Sequence, residues 1–191
     1  MTPSEKSTAS RIDEPAATMI LRPVGTIKNK TKEPFLKAGE EGLKMQGPLD
    51  DVGKKVHETK QSLSEIVISE DLATVLEGIE EYSHIVVLYW AHKVPEKGRS
   101  LTKIHPMGRD EIPLQGIFST CSPARPNPVL MTVVRLVGRN KNVLTVAGLD
   151  AIDGTPVVDI KPYVKDFYPQ NDVIIADWMQ RLQEEMEESG H

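Results

Sequence analysis

The spacing of hydrophobic and polar positions changes along this chain, and each change marks an element. After Pro23, Val24 to Lys28 alternates apolar and polar, the period of a strand with one buried face. The run Ile20 to Lys28 is therefore read as a first strand, with the proline at its start or on an edge. Leu63 to Ile68 gives a second short strand pattern. From Ser69 the period lengthens. Leu72, Val75, Leu76, Ile79 and Tyr82 recur at three- and four-residue spacing, Ser69 stands as N-cap, and Glu70 and Asp71 fill the first turn, where the helix dipole favours acids. This predicts an amphipathic helix ending near Glu81 to Ser83. His84 to His92 (HIVVLYWAH) is continuously apolar between two histidines, the pattern of a strand covered on both faces. Further strands are predicted near Gly116 to Thr120, Val129 to Gly138, Val143 to Leu149 and Pro156 to Lys161, with Arg139 to Asn142 as a hairpin turn. At the end, Ile174, Trp178, Leu182 and Met186 recur every four residues. They form the apolar stripe of a helix capped by Asn171 or Asp172, which packs on the barrel or on a partner subunit.

Many short strands with turn signals and one early helix predict a mainly β fold: a small antiparallel β-barrel with one early helix and a C-terminal helix. The expected organisation is a disordered tail at 1–18, rich in Ser, Thr, Ala, Pro and charge, a barrel domain at 19–167 and a terminal helix at 168–191. Two long connections stand out. Residues 29–60 are polar and show no obvious structure, so they form either a solvated excursion or a lid. The loop from Val94 to Leu114, with Lys93 at its start, gathers Lys97, Arg99, Lys103, His105 and Arg109, either as a solvated loop or as a phosphate-contacting patch.

Composition narrows the function classes. At 191 residues the chain is most simply one domain with appendages. No apolar run reaches the roughly 20 residues of a membrane helix, and the first residues lack the apolar core of a secretory signal. The single cysteine, Cys121, excludes an internal disulfide and makes the cytoplasm the default compartment. A net charge of −5 argues against a large nucleic-acid footprint, although the acids gather partly in Glu184 to Glu188. Neither a G-x-G-x-x-G after a strand nor a P-loop is present, so Rossmann and P-loop nucleotide sites are unsupported. The five histidines are scattered and Cys121 has no cysteine partner, so no metal site is expected.

The chemistry concentrates between Gly116 and Tyr163. In Ser119-Thr-Cys-Ser-Pro-Ala-Arg-Pro-Asn-Pro128, three prolines fix φ and withhold N–H donors, giving a stiff loop that presents Ser122, Arg125 and Asn127. Arg125 pairs either with a carboxylate or phosphate of a ligand or with an acid of the barrel such as Asp159. Asp150, Asp153 and Asp159 lie within ten residues. Asp153, before Gly154, is a turn former or a ligand acceptor, and Asp150 ends a strand where it can point into a cleft. Cys121 with His84 or His92 is the one arrangement open to a Cys–His hydrolase.

The motifs STCSPARPNPVLMTVV (Ser119 to Val134) and GLDAIDGTPVVDIKPY (Gly148 to Tyr163), with PVGTIKN (Pro23 to Asn29) and LEGIEEYSHIVVLYWAH (Leu76 to His92), resemble the TsaA/TrmO-like family over most of residues 20–164. That resemblance implies S-adenosylmethionine-dependent methyl transfer on a small barrel, as a homodimer, with the acceptor a threonylcarbamoyladenosine of tRNA or a related small molecule. By the same resemblance the cofactor site is lined by His92, Cys121, Ser122, Arg125, Leu130, Leu149, Asp150, Ala151, Asp153 and Gly154. Pro156 and Asp159 support it, and His92 or Asp150 assists proton loss. The sequence departs from the family at Cys121, where an arginine is usual, at Leu130, where a glycine is usual, and at Gly39 to Lys55, which lack the family's Pro-Arg-Gln element. A non-catalytic S-adenosylmethionine-binding module is the rival reading.

Overall fold

The computed structural model describes residues 19–39, 42–45, 54 and 57–189; the tail expected at 1–18 lies outside them. Ten strands are found among the described residues: β1 (Gly25–Lys28), β2 (Leu36–Gly39), β3 (Gly42–Met45), β4 (Leu63–Ile68), β5 (His84–Trp90), β6 (Lys103–Ile104), β7 (Gln115–Gly116), β8 (Val129–Asn140), β9 (Val143–Ala147) and β10 (Pro156–Pro162). Six of them close an antiparallel barrel in the order β1-β10-β5-β8-β9-β4. The expected mainly β barrel is thus the observed fold.

Alternation explains which residues fill it. In β1 and β4 every second residue turns inward, bringing Ile27, Ile66 and Ile68 together. Ile85, Val87 and Tyr89 from β5, Val134 from β8, Leu144 and Val146 from β9 and Val157 from β10 complete the core. On the other face of β5, Val86 is also buried. This two-sided cover accounts for the unbroken apolar run. Two register shifts, at Val157/Asp159 and at Leu136/Gly138, bend the strands around the barrel.

The early helical segment is present, but as 3-10 turns, Glu70–Leu76 and Ile79–Glu81, separated by Gly78 in the left-handed region at φ 83°. Leu76 enters the core, with Leu72 and Ile79 packed against it. The strand expected at Gly116 to Thr120 is a two-residue β7 followed by a 3-10 turn, Ile117–Ser119. Thr120 closes that turn by donating its N–H and its hydroxyl to the Ile117 carbonyl, which competes with extension.

The long connection after β1 is more structured than its polarity implies. It holds the β2–β3 hairpin, and Leu36 packs with Ile104, Ile117, Ala124 and Leu101 in a second small core. That core lies in the excursion between β5 and β8, which includes β6, β7 and a short helical turn, Glu96–Arg99. The C-terminal helix spans Asp177–Ser189 and begins later than expected. Asp172 adopts φ 59°, which interrupts right-handed helix there, and Ile174 stands 94% exposed ahead of it.

Candidate functional site at one rim of the barrel

Strand register decides which loops meet. Trp90 pairs with Val129, Tyr89 with Leu130 and with Val157, Thr26 with Pro156, Lys28 with Glu65, and Leu63 with Ala147. The exit of β5, the entry of β8, the exit of β9, the entry of β10 and the exit of β1 therefore share one rim. His92, the loop from Cys121 to Arg125, Leu130, the turn from Leu149 to Gly154 and the segment from Asn29 all rise from it.

The turn from Leu149 to Gly154 is the most tightly held part of the rim. Leu149 is buried in the barrel core. Gly148 and Gly154 take φ 88° and 77°, which lets the chain reverse at both ends of the turn. Ala151 N–H donates to the Leu149 carbonyl at 3.1 Å and Gly154 N–H to the Ile27 carbonyl at 2.8 Å. Asn29 binds the turn twice. Its Nδ2 donates to the Ala151 carbonyl at 2.8 Å, and its backbone N–H donates to Asp153 Oδ1 at 3.0 Å. Asp153 Oδ2 accepts from Lys32 Nζ at 2.7 Å, and the Asp153 N–H donates to the Thr31 carbonyl at 2.7 Å. The Lys32 hydrogen bond and then the Asn29 N–H hold the Asp153 carboxyl below its ordinary value. Asp153 is thus committed to the neighbouring segment as well as to its own turn. Lys93 extends the same fastening, donating to the Lys32 carbonyl at 2.7 Å and to Glu33 Oε1 at 2.9 Å.

From below, the turn meets Tyr89. Its hydroxyl, 4% exposed as a residue, donates to the Asp150 carbonyl at 2.5 Å. With its one proton so used, it accepts from Thr132 Oγ1 at 2.9 Å. Burial pushes the phenol up to about 12. Asp150 itself presents a contrast: as a residue it is exposed, yet protein crowds its carboxyl. Open to water but largely surrounded, the carboxyl is raised above its ordinary value by desolvation.

His92 lies two residues beyond β5 and is half-buried. Its Nδ1 is shut away from solvent and has no hydrogen-bond partner among the described residues. Desolvation first, and then the Lys93 charge, lower its pKa, so the ring is neutral near pH 7.

The proline-rich loop is fastened by its own residues. Arg125 Nε donates to the Ser122 carbonyl at 2.8 Å and Nη2 to the Thr120 carbonyl at 2.6 Å. The buried Ser122 Oγ accepts from Ala124 N–H at 3.1 Å, and Ser122 N–H donates to Thr120 Oγ1 at 3.2 Å. The pairing of Arg125 with an acid of the barrel is not among the described ion pairs. Asp159 is paired with Lys161 at 2.6 Å instead. Cys121 is exposed, and no interaction links it to His84, whose Nδ1 meets Ser83. The loop joins the rim where Ala91 N–H donates to the Pro128 carbonyl at 2.8 Å. Among the described hydrogen bonds none joins His92 or the loop from Cys121 to Arg125 directly to the turn.

The basic residues after Lys93 are mostly engaged. Arg109 lies between Glu111 and Glu185, Arg99 stacks on Trp90 at 5.4 Å, and His105 Nδ1 meets the Ile112 carbonyl at 2.8 Å. A cleft between this region and the C-terminal helix is lined by Arg109, Ile112, Trp178, Arg181 and Leu182, and none of the rim residues lines it. Among the described residues no group of three or more His, Cys, Asp or Glu is placed to hold a metal, and no helix is long and apolar enough to cross a membrane.

Sequence reasoning missed Asn29, Tyr89 and Thr132. Tyr89 was hidden in an apolar run, and Asn29 closed a motif without a role of its own. A six-stranded antiparallel barrel with fastened loops gathered on one rim defines the class: a small closed barrel with its connecting loops held at one end. The family described as tRNA-methyltransferase O N-terminal domain matches residues 50–168, and the chain belongs to this family of S-adenosylmethionine-dependent methyltransferases. A probable S-adenosyl-L-methionine-binding protein of Pyrococcus abyssi is 33% identical over 168 residues, covering 88% of this chain and 80% of that protein. A tRNA (adenine(37)-N6)-methyltransferase of Mus musculus is 41% identical over 97 residues, covering 50% of this chain and 22% of that protein. The crystal structure of TrmO from Pseudomonas aeruginosa superposes with a TM-score of 0.58 at 28% identity, covering 84% of this chain and 62% of that one. The present chain therefore spans less than two thirds of the TrmO structure.

Proposed function

We propose that this protein transfers a methyl group from S-adenosylmethionine to a nitrogen of a modified tRNA adenosine, threonylcarbamoyladenosine, or of a related small acceptor. The observation that carries the reading is the meeting, on one rim, of a buried unpartnered His92 Nδ1 with a turn whose backbone is held by Tyr89 and Asn29 and which bears Asp150. Those groups suit the uncharged, planar part of a ligand, a ring with several hydrogen-bonding edges. His92 would offer its neutral ring as a hydrogen-bond partner. Leu130 and Leu149 would supply apolar contact, and the turn from Asp150 to Gly154, with Ser122 and Cys121 opposite, would supply the polar edge. Arg125 would act by keeping the proline-rich loop in place.

When bound, S-adenosylmethionine supplies a methyl already activated by its sulfonium centre. The chain's task is then alignment of donor and acceptor. As the acceptor nitrogen gains the methyl it loses a proton, which Asp150 or His92 would accept. Asp150 suits this role because its raised pKa makes it a stronger base than an ordinary aspartate. Support for a tRNA acceptor comes from the Mus musculus relative. The naming of the Pyrococcus abyssi relative as a binding protein supports the second reading, a barrel that holds the cofactor without turnover. The reading extends to a homodimer in the cytoplasm, for which light scattering and fractionation are the direct measurements.

The test is incubation of the full chain with methyl-labelled S-adenosylmethionine and total tRNA. Label in tRNA adenosine supports the reading. Cofactor binding without transfer to tRNA or to modified nucleosides supports the binding module, and no binding overturns both. His92→Ala is expected to weaken cofactor binding about 5- to 20-fold, the scale of a lost buried hydrogen bond. In the unsubstituted protein, affinity should fall as pH drops through the His92 pKa, which desolvation and the Lys93 charge hold below the ordinary 6.5, because the ring then gains its proton. Calorimetric titration across pH 5 to 8 checks this.

A further inference from the structure

We infer that Tyr89 and Asn29 are positioning residues that set two successive peptide planes of the rim turn and so determine which backbone N–H groups it offers to a ligand. This rests on the cofactor reading above for its consequence and on geometry for its cause. Tyr89 holds the Asp150 carbonyl from inside the barrel. Asn29 holds the Ala151 carbonyl from the exit of β1. In a planar trans peptide the C=O and the following N–H point in opposite directions. Fixing the Asp150 carbonyl thus fixes the Ala151 N–H, which closes onto Leu149. Fixing the Ala151 carbonyl turns the Ile152 N–H away from Asn29. Among the described residues the Ile152 N–H and the Asp150 N–H have no protein acceptor, whereas Ala151, Asp153, Gly154 and Thr155 all donate within the fold. The turn is left with two free donors that flank Ala151, the Ile152 N–H in the plane that Asn29 sets and the Asp150 N–H one peptide before the plane that Tyr89 sets, to read the hydrogen-bonding edge of a planar ring.

Both clamps are built rather than incidental. Tyr89 is buried, and Thr132 orients its hydroxyl so that its proton goes to the turn. Asn29 is held in turn by Thr31 N–H on Oδ1 at 3.0 Å and by Ser64 Oγ at 3.2 Å from Nδ2. A merely structural pair would not need its two donors on consecutive carbonyls of the one turn that the site requires.

The experiment compares the full chain with Tyr89→Phe, Asn29→Ala and, as a control on the opposite rim, Tyr163→Phe. Cofactor affinity is measured by calorimetry and amide exchange by NMR. Tyr89→Phe keeps shape and removes one hydroxyl, so the expected result is a 5- to 10-fold weaker affinity, on the order of one hydrogen bond. Exchange at Ala151 should be faster, while amides of β8 and β9 remain protected. Asn29→Ala should weaken affinity to a similar degree, and the two together by less than the product of their single effects, because they act on one turn. Tyr163→Phe should bind as the parent does. If Tyr89→Phe fails to fold, Asn29→Ala decides the matter by the same two readings. Parent-like affinity and exchange in the folded variants would overturn the inference while leaving the cofactor reading intact. An unsubstituted protein that binds no S-adenosylmethionine would overturn that reading instead, and the exchange at Ala151 would still decide whether the clamps hold the turn.

Discussion

Gly25 illustrates how little slack single positions of this barrel have. A β-carbon placed there would come 2.4 Å from the Val67 carbonyl oxygen, a backbone atom of the paired strand that cannot step aside. Gly25→Ala should therefore destabilise by about 1–3 kcal/mol, the range of overpacking in a well-filled interior, read as a lower denaturant midpoint at unchanged slope. Asp150 and Asp153 stand three residues apart and respond to pH with opposite sign. The ordinary value for each is 3.8. Asp153 lies below it when folded, so its contribution is complete above 3.8 and is lost as pH falls through the folded value. Asp150 lies above it, so its neutral form favours the fold, and stability is lost as pH rises from 3.8 through the folded value. At neutral pH Asp150→Asn should accordingly raise the midpoint of unfolding while weakening any function of the carboxyl. The difference should shrink below about pH 4, where both side chains are uncharged.

At the scale of elements, periodicity read best where burial was simple. Val129 to Gly138, Val143 to Leu149 and Pro156 to Lys161 were legible because each strand has an inner and an outer face, and the observed strands depart from them by a few residues. The segment after Ser69 read as helix because its apolar spacing is helical. Gly78, in a left-handed conformation, breaks the run and leaves tighter 3-10 turns. What stabilises those turns was invisible in the local sequence, for it is Arg139 on the β8–β9 hairpin. Its Nη1 donates to the Leu76 carbonyl at 3.0 Å and to Glu80 Oε1 at 2.7 Å, and Nε to the Lys141 carbonyl at 2.8 Å. Arg139→Lys loses the forked geometry. It should lower stability by about 1–2 kcal/mol and speed amide exchange across Glu70–Glu81, with little change in β4 or β9. The candidate site was legible in a similar, partial way. The loops that reach the rim could be named from their motifs, yet the side chains that fasten them, Asn29, Tyr89 and Lys32, act across the barrel. No spacing along the chain records such contacts.

At the scale of the whole molecule, the C-terminal helix docks on the excursion between β5 and β8. Arg109 bridges to Glu185, and Leu182 is buried at 7% exposure beside Ile112 and Trp178. Leu182→Ala should release the helix while sparing the barrel. Hydrogen exchange should then rise over Asp177–Ser189 and stay unchanged in β5, whereas loss of protection in β5 would show that the helix and the barrel unfold together.

The fastening of Asn29 to Ala151 and Asp153 joins residues more than a hundred positions apart. A ribosome must release Asp153 before that fastening can form, and contacts of such long sequence separation are slow to form. The rim turn is consequently among the last structures to mature during synthesis. A nascent or truncated chain lacking β10 would have no site to fill, so ligand capture would report that the barrel has closed, and ligand present during refolding would trap the finished molecule without guiding its earlier steps.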